Sequence, residues 1–289
     1  MGKQIYYRGG LNFCNYSCSY CPFSKKKYSE RNLQRDRSEW FRFVEEIKRQ
    51  EFGGAIQVIP YGEALVHEYY WQGLAELSRC DAIEAVGVQS NFSFSVDRMF
   101  CVFEQYGGRR EKLRLWGTFH PEMTATEEFL SQCMALQREG ILFCVGSVGV
   151  PENIDVLRSL RKDLDAGIYM WVNKMEGLRR RYREDEIQAF MMLDRYFEME
   201  LRCFESDASA CRESLLVEGD GTIRPCVLCH QKRGNLYQEG LERIQKKKCT
   251  RRSCDCFLSY GGRSDIPELI SFQPFPAFRI PDAGQISEE

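Results

Sequence analysis

The sequence predicts an α/β fold, namely a partial (β/α)6 TIM-like barrel over residues 1–200, a small cysteine-rich C-terminal α+β domain over residues 201–262, and a C-terminal tail over residues 263–289. Two observations support this. Up to about Met199, six short apolar runs alternate with amphipathic stretches, which matches the roughly 30 residues of a βαβ repeat. After about Leu201 the periodicity fades, and six cysteines fall between Cys211 and Cys256.

The six strands are predicted from the apolar runs. In chain order they are Ile5–Leu11, Ala55–Pro60, Ile83–Ser90, Leu113–Phe119, Ile141–Val148 and Ile168–Asn173. In parallel barrels the chemistry lies on loops at the C-terminal ends of the strands. Residues that follow these runs are therefore the candidates for a functional site.

Amphipathic segments between the strands predict the helices. Trp40, Phe43, Val44 and Ile47 have the spacing of one helix face. The run from Thr124 to Glu127 is typical of a capping box, with Gly140 ending that helix. Pro151 suits the first turn of the next helix, and apolar residues from Ile187 to Phe197 predict a sixth. The prolines at 274, 276 and 281 predict an extended or mobile end over residues 271–289.

Composition excludes several classes of function. The formal net charge of −2 gives no electrostatic reason to expect nucleic acid or an anionic membrane as a partner. No apolar run reaches the ~20 residues of a membrane span, and the N-terminus lacks the apolar segment of a secretory signal. We therefore expect a cytoplasmic protein. In that reducing compartment, fourteen cysteines indicate metal binding rather than disulfides.

Cys14, Cys18 and Cys21 form a C-x3-C-x2-C triplet directly after the first strand. Three thiolates on one loop can hold three corners of a [4Fe–4S] cluster and leave the fourth iron open. A structural zinc or electron-transfer site normally has four protein ligands, and no fourth Cys or His lies nearby in the sequence. The alternative is a zinc loop completed by a distant His or Cys.

A second motif follows the second predicted strand. The run Pro60-Tyr61-Gly62-Glu63-Ala64 resembles the Gly-Gly-Glu motif of the radical S-adenosylmethionine (SAM) superfamily, with Tyr61 in place of the first glycine. The cysteine triplet, with the aromatic Tyr20 before its last cysteine, resembles the signature of the same superfamily. The resemblance implies that Gly62 and Glu63 hold the amino group of SAM, since an ammonium needs fixed acceptors.

The resemblance also implies roles for polar residues at the other strand ends. Tyr20 would pack against the adenine, and the remaining positions would bind the ribose or carboxylate of SAM; these are Ser90, Asn91, Thr118, Ser147 and Asn173. Ordinary turn and capping roles stay open for Ser90, Asn91 and Thr118. His120, at the end of the fourth strand, is a candidate for substrate binding or proton relay, with a structural histidine as the alternative.

The C-terminal cysteines form a second group. Cys211 and Cys226 are arranged as C-x9-G-x4-C, which resembles the opening of the SPASM domain and its shortened form, the Twitch domain. These domains hold auxiliary [4Fe–4S] clusters. Six cysteines are too few for the full SPASM pattern, so one auxiliary cluster is expected, held by Cys211, Cys226 and two of Cys249, Cys254 and Cys256, with Cys229 as a possible substitute. A four-cysteine zinc site is the alternative.

The resemblance implies a reaction. A reduced cluster on the triplet cleaves SAM to methionine and a 5′-deoxyadenosyl radical, which abstracts a hydrogen atom from the substrate. A reductant such as flavodoxin or ferredoxin would supply the electron. The auxiliary cluster would accept an electron from the substrate radical or bind the substrate.

The resemblance favours modification or oxidation of a peptide or protein as the overall reaction. Because the first strand begins almost at Met1, we expect leader-peptide recognition to require a separate protein, if it occurs. The first alternative is a sugar-type small-molecule dehydrogenase. The second is a non-catalytic iron–sulfur or zinc protein with a degenerate SAM site.

Overall fold

The computed structural model describes residues 3–23, 28–206, 214–244, 249–260, 263 and 265–281. The strands are β1 Gln4–Arg8, β2 Gly54–Val58, β3 Ile83–Ser90, β4 Leu113–Thr118, β5 Leu142–Gly149, β6 Met170–Lys174, β7 Phe204–Glu205, β8 Ser214–Glu218, β9 Thr222–Arg224, β10 Gly234–Asn235 and β11 Ser253–Cys254. The helices are α1 Glu30–Arg49, α2 Glu68–Ser78, α3 Val96–Gln105, α4 Thr126–Arg138, α5 Ile154–Asp163, α6 Glu184–Met191 and α7 Phe197–Leu201.

The main sheet has the order β10-β9-β8-β1-β2-β3-β4-β5-β6. Strands β1 to β6 pair in parallel, each with the next along the chain. All six predicted strands are confirmed, and the fold is the predicted partial (β/α)6 barrel. Strand β8 pairs in parallel with β1, so the C-terminal region continues the barrel sheet.

The helices bury one face each against the sheet, as the periodicity predicts. On α1, the side chains of Trp40, Phe43, Val44 and Ile47 are buried, and the ring of Tyr7 from β1 stacks on Phe43 at 4.2 Å between centroids. Helix α4 stops where predicted, with Gly140 at φ +70°. No helix in the described part of the chain is long and apolar enough to cross a bilayer.

Two local expectations were wrong. Thr124 does not cap α4, because the N-cap is Ala125 and the Thr124 hydroxyl instead donates to Glu128 at 3.1 Å. The second wrong expectation is the sixth helix. Two helices, α6 and α7, stand in its place, and Asp194 lies in the segment between them. Asp194 is buried and accepts the backbone N–H of Val172 on the edge strand β6 at 2.8 Å. The gap between the two helices therefore places a carboxylate where it accepts a hydrogen bond from the edge strand of the sheet.

The C-terminal segment packs inside the barrel, which differs from the expected extended or mobile end. Residues Pro267–Phe272 and Pro276–Phe278 form 3-10 helices, whereas residues 282–289 lie outside the described residues. The N–H of Ala277 donates to Gln4 on β1 at 3.0 Å, and the Cys144 thiol on β5 donates to the carbonyl of Phe278 at 3.2 Å. The segment thus fills the interior space that the strands enclose.

Candidate active site

The site is a cavity of 620 Å³ at the C-terminal ends of the strands, within the ~300–1,000 Å³ of small-molecule sites. Most of the predicted site residues line it, namely Cys14, Cys18, Tyr20, Cys21, Gly62, Glu63, Ser90, Asn91, Thr118, His120 and Asn173. Ser147 does not. Its side chain is fully buried, and its hydroxyl donates to the carbonyl of Phe119 at 2.8 Å. The fold therefore brings residues from all six barrel units to one chamber.

The cysteine loop presents its sulfurs to backbone and amide donors. The N–H of Tyr16 donates to Cys14 Sγ and that of Phe23 to Cys21 Sγ, both at 3.4 Å. Asn91 Nδ2 lies 3.9 Å from Cys14 Sγ. Burial raises the pKa of Cys14 to about 11, so at neutral pH this residue is a thiol that a metal must deprotonate on binding.

The donor set fits a [4Fe–4S] cluster with one open iron. Three cysteines line the chamber, and each thiolate of a cubane binds a different iron. Across the described ranges, no group of three or more His, Cys, Asp or Glu side chains is arranged to hold a single metal ion. That finding concerns a single ion, to which all the ligands must bind at about 2.3 Å. The cysteines of a cubane bind different irons, so their sulfurs lie further apart.

Gly62 is required by the approach of the cysteine loop. A Cβ at this position would lie 1.8 Å from the carbonyl oxygen of Phe13, so any other residue would push the loop away. The next residue ties the two segments together, because the N–H of Glu63 donates to the same carbonyl at 3.1 Å. The end of β2 and the loop after β1 are therefore in direct contact, as the two motifs require.

The carboxylate of Glu63 is buried and hydrogen-bonded. Its Oε1 accepts the N–H of Leu65 at 2.9 Å and the hydroxyl of Ser90 at 2.8 Å. Burial nevertheless raises the pKa of Glu63 to about 7, against the opposing effect of these hydrogen bonds and of the N–H of Asn91. A carboxylate this poorly solvated gains from a cationic partner, and it lines the chamber.

Tyr20 and His120 contact each other and both line the chamber. The Tyr20 hydroxyl lies 2.9 Å from Nδ1 of His120, and their rings stack with centroids 5.9 Å apart. Burial lowers the pKa of His120 to about 4, so the imidazole is neutral at physiological pH. A neutral imidazole can accept a proton from the chamber or donate one of its own hydrogens to it.

The structure adds residues that the sequence analysis did not select. Gln89, Lys174 and Glu176 line the chamber, as do the exposed rings of Phe23 and Tyr61, whose centroids are 5.0 Å apart. Gln89, Lys174 and Tyr61 lie at or just beyond strand ends, a positional signal that the sequence carried. Glu176 and Phe23 lie further along loops, where strand periodicity gives no signal.

A second cysteine group lies beside the barrel. The Cys249 thiol lies close enough to Cys229 to help lower its pKa, against the opposing effect of burial and together with hydrogen bonds from Gln231 and Thr250. Cys229 and Cys254 are both close enough to Cys226 to raise its pKa, although burial is the larger cause. Cys256 lies near the charged groups of Glu200, Arg279 and Glu176, and Cys211 is outside the described residues.

The chain matches no protein-family model, and no curated protein matches it. Among solved structures, native anSMEcpe with bound AdoMet is similar over 91% of this chain and 92% of that chain, with a TM-score of 0.55 and 13% identity. Native anSMEcpe with bound AdoMet and Kp18Cys peptide is similar over 84% and 81%, with a TM-score of 0.55 and 12% identity. BtrN in complex with AdoMet and 2-DOIA has a TM-score of 0.42 and 14% identity over 84% and 81%.

At these identities the similarity to anSMEcpe shows a shared fold. Both of these anSMEcpe structures are described with bound AdoMet. The resemblance seen in the two sequence motifs is therefore confirmed at the level of the fold.

Proposed function

We propose that this chain is a radical SAM enzyme that modifies or oxidises a peptide or protein. The observation that carries the proposal is the shared chamber, in which the three thiols of the triplet and the carboxylate of Glu63 line the same 620 Å³ cavity. When bound, a [4Fe–4S] cluster and SAM would supply reductive cleavage of a carbon–sulfur bond and a 5′-deoxyadenosyl radical able to abstract a substrate hydrogen atom.

In this proposal, the protein's own residues bind the cluster and orient SAM. Cys14, Cys18 and Cys21 provide three thiolates, and Glu63 provides a buried anionic acceptor for the ammonium group of SAM. Asn173 has a defined orientation, because Arg279 Nη1 donates to its Oδ1 at 3.1 Å. A guanidinium only donates, so the Asn173 amide nitrogen is the free donor that this residue offers to the chamber it lines.

For the auxiliary site we propose one [4Fe–4S] cluster on Cys226, Cys229, Cys249 and Cys254. The electrostatic effects of these thiols on one another's pKa values support this set. It differs from the expected set in that Cys229, the possible substitute, takes the place of Cys211, which lies outside the described residues. Four thiolates suit a cluster with every iron bound to protein, and the same donor type suits a four-cysteine zinc site. Because no group of the described side chains is arranged to hold a single metal ion, we propose the cluster, and metal analysis tests that choice.

A peptide is the preferred substrate for two reasons. Two exposed aromatic rings that line the chamber, Phe23 and Tyr61, pack against each other with centroids 5.0 Å apart, and the guanidinium of Arg8 lies 4.4 Å above the ring of Tyr61. Aromatic and arginine side chains are enriched where proteins bind other polypeptides. The anSMEcpe structure of similar fold is described with a bound peptide.

The decisive experiment is SAM cleavage by the anaerobically reconstituted full-length chain after reduction with dithionite. We expect methionine and 5′-deoxyadenosine in equal amounts. The Cys14→Ala, Cys18→Ala, Cys21→Ala variant should release neither, and Cys101→Ala, which changes an exposed cysteine, serves as the matched control. Absence of 5′-deoxyadenosine from a wild-type preparation that holds iron and binds SAM would overturn the proposal.

The substrate class is tested by isotope transfer. Candidate peptides and small molecules, deuterated at carbon, are incubated with the reduced enzyme, and deuterium is measured in the 5′-deoxyadenosine. Transfer from a peptide supports the preferred reading. Transfer from a sugar-type molecule alone would establish the small-molecule dehydrogenase instead.

A further inference from the structure

The loop that follows β4 holds the cysteine loop through Glu122. Its Oε2 accepts the backbone N–H of Ser19 at 2.7 Å, and its Oε1 accepts the Ser19 hydroxyl at 2.6 Å. Hydrogen bonds to an ionised acceptor are shorter and stronger than neutral ones. Both oxygens of one carboxylate therefore hold a single residue of the cysteine loop, 103 positions away in sequence.

Ser19 occupies a sensitive position in that loop. The N–H of Cys21 donates to the carbonyl of Cys18 at 3.3 Å, which closes a turn with Ser19 as its second residue. In such a turn the N–H of the second residue has no partner within the turn. Glu122 supplies that partner, and so fixes the main chain between two of the three cysteines.

The surrounding contacts show that the two loops meet along their length. The Tyr20 hydroxyl lies 2.9 Å from His120, and the Ser17 hydroxyl lies 4.0 Å from the sulfur of Met123. The loop after β4 is itself closed by a turn, with the N–H of Met123 donating to the carbonyl of His120 at 2.9 Å. Glu122 therefore projects from a structured loop.

We propose that Glu122 is a positioning residue for the cluster-binding loop, holding the main chain between Cys18 and Cys21 in place before a cluster binds. The identity of that bound group rests on the proposed function. The carboxylate also places a negative charge one residue from Cys18. A negative charge near an iron–sulfur cluster disfavours addition of an electron and so lowers its reduction potential. Loss of this charge therefore shifts the potential in the positive direction.

The test uses the full-length chain, both as purified and after anaerobic reconstitution. Glu122→Gln removes the charge and one acceptor, Ser19→Ala removes only the hydroxyl bond, and Glu127→Gln is the matched control on the exposed first turn of α4. Hydrogen exchange of a peptide covering residues 15–23 should be faster by about tenfold or more in Glu122→Gln. It should change less in Ser19→Ala and not at all in the control.

The second readout is the midpoint potential of the cluster on the triplet, followed by electron paramagnetic resonance. It should be less negative in Glu122→Gln than in the wild type and the control. An unchanged exchange rate or an unchanged potential in Glu122→Gln would overturn the proposal. If the wild type fails to cleave SAM while exchange still responds to Glu122→Gln, the proposed function fails and the hold of Glu122 on the loop stands.

Discussion

The carboxylate of Glu63 accepts a hydrogen bond of 2.6 Å from the backbone N–H of Asn91. This contact joins the loop after β2 to the end of β3, and Ser90 strengthens it by donating to the other oxygen of the same carboxylate. A carboxylate has about four acceptor positions, and three are used by protein donors. Glu63 therefore orders two strand ends and retains one acceptor position for a ligand.

We predict that Glu63→Gln weakens SAM binding by tens of fold or more, because removing one partner of a buried charged pair costs about 2–5 kcal/mol. The new amide also turns a donor toward Asn91 or toward Leu65 and Ser90. Equilibrium dialysis against labelled SAM measures the effect on reconstituted protein. Glu68→Gln, at an exposed glutamate of α2, is the control; equal affinity in both variants would show that Glu63 does not contact SAM.

The raised pKa of Glu63, about 7 in the ligand-free chain, predicts a pH dependence. Below pH 7 the folded protein holds a proton on this group that a cationic ligand must displace. SAM affinity should therefore rise as pH increases from 6 to about 7.5, and fall again once the ligand's α-amino group deprotonates near ~8. In Glu63→Gln the rise in SAM affinity between pH 6 and 7.5 should disappear. If the rise persists in this variant, it is caused by the titration of another group.

The same group affects stability with a definite sign. Between its ordinary pKa of 4.5 and about 7, the folded state binds more protons at Glu63 than the unfolded state does. The free energy of unfolding contributed by this group therefore falls as pH rises through that range. In urea unfolding, the free energy of unfolding of the wild type relative to Glu63→Gln should therefore be higher at pH 5 than at pH 8, and a relative stability that does not change with pH would contradict the prediction.

Iron content distinguishes the two cysteine groups. We predict about eight iron atoms in the reconstituted wild type and about four in the triplet variant, at four per cubane. Cys229→Ala should also lose about four, whereas Cys256→Ala should keep its iron, since Cys256 lies near charged groups. The reverse result for these two single variants would restore Cys256 to the ligand set, and stoichiometric zinc with four irons would remove the auxiliary cluster.

Tyr20→Phe separates the two contacts of that side chain. The ring remains, so packing against an adenine should survive and SAM affinity should change little. The hydrogen bond to His120 is lost, which should lower the free energy of unfolding by about 1 kcal/mol. Tyr20→Ala should weaken SAM binding as well. Equal SAM affinity in the Phe and Ala variants would exclude the ring from the adenine site.

Arg279 should be the most sensitive position of the C-terminal segment. Its guanidinium is buried, pairs with Glu200 and lies 3.6 Å over the ring of Phe257. Arg279→Met leaves the Glu200 carboxylate buried without its partner and should cost about 3–5 kcal/mol in urea unfolding. Adding Glu200→Gln should recover much of that loss. Arg98→Met, which breaks an exposed pair, should cost under about 1 kcal/mol, and a similar loss in both single variants would contradict the prediction.

The sequence by itself determined the features that depend on near neighbours in the chain. Apolar runs and helical periodicity located all six barrel strands and the buried face of α1, because side-chain direction repeats every two or 3.6 residues. The cysteine triplet was found from its spacing, since spacing within one loop restricts which ligands can meet, and the Gly62-Glu63 pair was found from its resemblance to a family motif. Their common location followed from the rule that parallel strands end at one face.

Tertiary structure decided the contacts between distant segments. Glu122 holds Ser19, Tyr20 pairs with His120, and Arg279 is buried among residues of β4, β6, α7 and the cysteine-rich region. These contacts join positions between 22 and 163 residues apart. The thiols that gather around Cys229 follow from how β9 and the segment after residue 248 pack beside the barrel. No local pattern records such contacts, because they depend on how whole elements dock, and docking is fixed by the summed packing of the core.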